Sequence, residues 1–83
     1  MNSSKSNLLM GETLRKLRVN KKQSQEFVAD CLNISRTAYK DWENGKIDFS
    51  FSKLERISEF FEVPLADLLD KVTPPPLKNV EAS

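Results

Sequence analysis

Apolar residues recur along this chain at intervals of three and four, the period of helices that bury one face. The first run spans Leu8 to Val19 and sets Met10, Leu14 and Leu17 on one side. A second follows Ser24, where Phe27, Val28, Cys31 and Leu32 make a stripe. The Ser24 hydroxyl suits an N-cap, and Glu26 falls in the first turn, where the macrodipole favours an acid. Asn33 tolerates a left-handed backbone. Ile34-Ser35 then restarts a helix at once, with Ser35 as N-cap and Ile34 placed to staple onto Tyr39.

The third helix turns Ala38, Tyr39 and Trp42 inward and leaves Arg36, Thr37, Lys40 and Asp41 on the other face. It stops at Asn44-Gly45, where a residue past the last turn needs positive φ. The stretch KIDFSFS alternates, but a lone strand has nothing to pair with, so it reads as a packed loop that plugs the core with Ile47, Phe49 and Phe51. Helix four starts at Ser50 or Ser52, the latter forming a capping box with Glu55, and carries Leu54, Ile57, Phe60 and Phe61. Val63-Pro64 breaks it. A short fifth helix places Leu65, Leu68 and Leu69 on one side and ends near Lys71, before three consecutive prolines. The expected organisation is a flexible arm over 1–7, an all-α, compact five-helix domain over 8–71 and a Pro-rich flexible tail over 72–83.

With 83 residues, 39% of them hydrophobic, there is material for one small core. The chain has no histidine and one cysteine, which excludes a His-based triad, a His/Cys zinc cage and an intrachain disulfide. Cys31, on the apolar stripe, is expected to be a small buried hydrophobe, and a lone thiol fits a reducing cytoplasm. No signal-peptide core and no apolar run near the roughly 18 residues of a membrane span is present, so no membrane partner is expected. The formal charge of +1 hides an asymmetry. Residues 1–46 hold nine Lys/Arg against five Asp/Glu, a net +4, and residues 47–83 hold four against seven, a net −3. A basic face is what phosphate contact requires, although mixed charge on helix surfaces is also ordinary.

The turn between helices two and three occupies only about three residues, the geometry of a helix-turn-helix, which sets its second helix into the DNA major groove. An outward face opening Ser-Arg-Thr offers groups for phosphates and base edges. The stretches LRKLRVNKKQSQEFVADCLNISRTAYKDWENGK and LERISEFFEVPLADLL, over roughly residues 8–71, resemble the phage-repressor and Cro-like, or Xre-type, helix-turn-helix family.

The resemblance implies that the third helix reads bases through Arg36, Thr37, Lys40 and Asp41. It implies phosphate contacts from Gln25, Asn44 and Lys46; beside these, the N-cap hydroxyls of Ser24 and Ser35 are candidate phosphate contacts, and the Tyr39 hydroxyl, on a residue read as mainly core, is free to reach a phosphate from the edge. Arg18 and Glu43 match a structural salt bridge between helices one and three. The family often has a proline and a basic residue after helix three, where this chain has Asp48, Ser50 and Phe51. Asp41 either accepts from a cytosine amino group or orients Arg36 or Lys40. Gln25 alternatively reads as a plain surface amide, and Trp42 as core.

The expected function is a regulator of transcription, a repressor or operon controller, that binds palindromic double-stranded DNA as a homodimer through Phe60, Leu65 and Leu68. An antitoxin or adaptor whose main partner is another protein is the alternative. Enzymatic activity is not expected without histidine or a phosphate-cradling glycine loop, and neither a cofactor, a metal nor a small-molecule ligand is expected.

Overall fold

In a computed structural model, which describes residues 5–72, five helices follow one another: α1 (Lys5–Asn20), α2 (Gln25–Leu32), α3 (Arg36–Glu43), α4 (Phe51–Phe61) and α5 (Leu65–Val72). Helix α1 begins at Lys5 rather than near Leu8, and α5 ends at Val72 rather than Lys71. The rest of the expected arm and tail, residues 1–4 and 73–83, lies outside the described residues. No helix among the described residues is long and apolar enough to cross a membrane.

The caps explain why such short helices hold their ends. Ser24 and Ser35 both have extended backbones, and their hydroxyls accept from the N–H groups of Phe27 and Ala38 at 3.0 Å each. Asn33 closes α2 at φ 63°, and the Ile34 N–H reaches back to the Ala29 carbonyl at 3.0 Å. At α4 the cap is Ser50, accepting from Lys53 N–H; the alternative box of Ser52 with Glu55 is not formed, because Ser52 is already helical. The α4 stop is Glu62 at φ 57°, one residue ahead of the Val63-Pro64 pair that was expected to break the helix. The Ser58 hydroxyl supports the turn by donating to the Val63 carbonyl at 2.6 Å.

Helix α1 lies against α3 and α5, α2 against α3 and α4, and α4 against α5. Their shared core is Met10, Leu14, Val28, Ala29, Leu32, Tyr39, Trp42, Phe49, Leu54, Ile57, Phe61 and Leu68. Leu17, Ile34, Ile47, Leu65 and Leu69 border it.

Three expected core residues are outside. Phe27 is 48% and Phe51 56% exposed, and Cys31 is exposed too. Helical geometry gives the reason. Val28, Ala29 and Leu32 share a direction from which Phe27 points about 150° and Cys31 about 110° away, so the inner stripe is centred one residue later than the apolar count suggests. Phe51 is the first residue of α4 and sits about 90° from the direction of Leu54, Ile57 and Phe61. Phe49, in the loop, is the residue that plugs the core.

Candidate nucleic-acid interface

Helix α3 presents two unlike faces. Tyr39, Trp42 and Glu43 are buried, while Arg36, Thr37 and Lys40 are exposed and Asp41 is half-buried. Beyond the helix, Asn44 and Lys46 are exposed around Gly45, which has φ 69°. The N-caps Ser24 and Ser35 are exposed as well. Each hydroxyl accepts from its own helix and keeps its proton free to donate, next to the orphan N–H groups of a helix start, a setting that favours anions.

Behind this surface lies an ion pair that ties three helices together. Arg18 of α1 grips Glu43 of α3 with both arms of its fork: Nε donates to Oε2 at 2.6 Å and Nη2 to Oε1 at 3.2 Å. Its Nη1 donates to the Gln23 carbonyl in the α1–α2 link at 2.9 Å. Gln25 of α2 donates from Nε2 to Glu43 Oε1 at 3.0 Å, so its half-buried amide turns toward the pair while its residue stands at the start of α2. The side chains of Arg18 and Glu43 are 14% and 3% exposed. Burial pushes the Glu43 carboxyl upward, but the bonds from Arg18, the nearby Tyr39 hydroxyl, the Gln25 amide and the Arg18 charge outweigh it and hold the pKa below its ordinary value. Arg18 is shifted up, chiefly by its bond to Glu43.

Tyr39 was expected to reach a phosphate, and it does not. Its side chain is fully buried, its hydroxyl faces the ion pair, and burial is the main cause of its raised pKa. The hydroxyl is near enough to feel the carboxylate yet closes no hydrogen bond of good geometry. Tyr39→Phe is therefore expected to cost less than about 1 kcal/mol, read from urea midpoints; a larger loss would show that the hydroxyl is bonded after all.

Leu68, expected at a dimer surface, is 2% exposed and belongs to this chain's own core. Phe60 and Leu65 are half-buried, and Phe60 stacks edge-on against Phe61 at 4.8 Å between ring centres.

Gly11 had no part in the sequence reading. It is buried in α1 against the end of α3, where a Cβ would stand 2.5 Å from the Glu43 carbonyl oxygen and 2.7 Å from that of Trp42. The available signal was a lone glycine inside a helical run, which costs helix stability and so implies a close approach.

Among known proteins, a family model described as a helix-turn-helix domain matches residues 11–74. The HTH-type transcriptional activator BcrR of Enterococcus faecalis is 43% identical over 58 residues, 70% of this chain, and the match spans only 28% of that protein's length. The control protein C.MunI of a Mycoplasma species is 38% identical over 63 residues, covering 75% of this chain and 85% of that one. Among solved structures, the clp gene regulator ClgR from C. glutamicum superposes with a TM-score of 0.72 at 21% identity, over 81% of this chain and 87% of that one.

Proposed function

Because the chain belongs to the helix-turn-helix domain family, in its Xre/Cro-like form, we propose that this DNA-binding transcriptional regulator recognises a palindromic operator as a homodimer, acting as a repressor or controller of a small operon. It is no enzyme. The observation that carries the reading is the outward face of α3: Arg36, Thr37 and Lys40 stand exposed on a helix whose other face is locked into the core. Arg36 at the first turn carries a fork that matches guanine O6 and N7, Thr37 a hydroxyl and a methyl, and Lys40 a mobile cation. Asp41 flanks them. Ser24, Ser35, Asn44 and Lys46 hold phosphates, and Gln25 joins that grip to the ion pair.

A single domain reaches few bases, each worth about 1–3 kcal/mol of discrimination, too little against the competing sites of a genome. Two copies double the contacts and impose the symmetry of the operator. The half-buried Phe60 and Leu65 form the proposed contact, without Leu68. A regulator of this kind works in the cytoplasm, where its DNA is.

Two substitutions test the assignment. Arg36→Ala is expected to relax preference at one base position and to cost about 1–3 kcal/mol there. Lys46→Ala is expected to weaken all duplexes alike and to reduce the salt slope by about one. Selection from a random duplex library, followed by salt titration, reads both. Indistinguishable behaviour of the two variants would overturn the division between base and phosphate contacts.

A further inference from the structure

The seam between α1 and the end of α3 has no room for a side chain on either side. From α1, a Cβ on Gly11 would meet backbone oxygens of Trp42 and Glu43 at 2.7 and 2.5 Å. From the other side, a Cβ on Gly45 would lie 2.8 Å from the Leu8 Cα and 2.9 Å from the Asn7 carbonyl oxygen. Each element thus offers a glycine to the other's backbone. Backbone cannot swing aside as a flexible side chain does. Two further ties hold the same seam, the Arg18–Glu43 fork at 2.6 Å and a bond from Asn7 Nδ2 to Asp48 Oδ1 at 3.0 Å.

We propose that Gly11 and Gly45 are positioning residues for base readout: their backbone-to-backbone seam sets how far the recognition helix stands out from α1. This rests on the DNA-binding reading above and deepens it. The last turn of α3 is clamped at the seam, while Arg36 and Thr37 lie exposed at the opposite end, where the turn joins α3 to α2. Ordinary contact needs about 3.4 Å or more, so one added methyl displaces the clamped end by about 1 Å and tilts the whole short helix. Arg36 then meets a base edge off its two-bond geometry, which is directional. Phosphate contacts are less exacting: Ser24 caps α2, away from the seam, and Lys46 follows a repeating charge on its flexible stem. The seam therefore governs discrimination more than general affinity for duplex.

The test uses the full chain, an operator selected by the wild type from random duplexes, and a scrambled duplex of the same length. Gly11→Ala, assayed where circular dichroism shows it folded, is expected to lose at least tenfold on the operator and to stay within about twofold on the scrambled duplex. If it does not fold, Gly45→Asn carries the same test from the other side, since asparagine tolerates positive φ. Unchanged operator affinity, an equal loss on both duplexes, or failure of both variants to fold would make the seam merely structural and overturn the proposal. If the wild type itself selects no sequence, the DNA-readout assignment fails first and takes this inference with it. The two failures are thus told apart by the wild-type arm.

Discussion

Replacing Glu43 with alanine is expected to remove about 3–5 kcal/mol of stability, because the Arg18 guanidinium would remain in a site only 14% exposed with no anion opposite it. Gln25 Nε2 would lose its acceptor in the same step. Small domains have about 5–15 kcal/mol in total, so the loss is a large part of the fold. Urea unfolding reads it directly, and a cost under about 1 kcal/mol would mean that water has already entered the site. The partner experiment separates net worth from stranded charge. Arg18→Met with Glu43→Leu is expected to recover much of the loss, since an apolar pair of similar volume strands no charge and leaves only the Gln25 amide and the Gln23 carbonyl to turn to water.

The same carboxyl gives the pair a pH signature. Folding lowers the Glu43 pKa beneath its ordinary 4.5, so the unfolded chain binds this proton more readily than the folded one. Its contribution is complete above the unfolded value and fades as pH falls through the lower, folded one. Stability measured between pH 6 and pH 3 is therefore expected to fall in the wild type, starting below about 4.5, and to fall less in Glu43→Gln. Parallel curves for the two would show that other carboxylates dominate acid unfolding.

Much of this architecture was legible in the chain because its helix ends are written in local chemistry. Ser24, Asn33, Ser35 and Gly45 each act within three or four residues of where they stand, and a cap needs no tertiary partner to be recognised. Choosing the buried ridge of α2 was harder. Over eight residues the ridges Phe27–Cys31 and Val28–Leu32 fit the period equally well, and only contact with α3 and α4, through Val28, Ala29 and Leu32, decides between them. Tyr39 is the case at the site itself. Placing it on the inner stripe was correct, but whether its hydroxyl emerges at the edge depends on how deep α3 sits against α1. That depth is set by Gly11, a residue whose role is the absence of a side chain and which no apolar pattern can reveal.

Trp42→Ala is the second large effect, expected at about 3–5 kcal/mol, the usual cost of deleting a buried aromatic. The indole is 4% exposed and touches the core from several sides. Phe49 meets it edge-on, 6.2 Å between centres at 78°, Tyr39 lies tilted at 6.4 Å, and Lys53 Nζ sits 6.0 Å over the ring. A cavity here opens beneath α3 and the loop together, because Phe49 is the loop's one fully seated side chain. A double-mutant cycle with Phe49→Ala is expected to show coupling of about 0.5–1.5 kcal/mol, the value of an aromatic pair beyond its burial. Trp42 is the only tryptophan, so circular dichroism must follow the unfolding. Its DNA affinity is expected to fall only in step with the folded fraction, whereas Arg36→Ala changes sequence preference with an unaltered melt. A Trp42→Ala protein that stayed folded yet bound no duplex would place the indole in recognition and reverse the two faces assigned to α3.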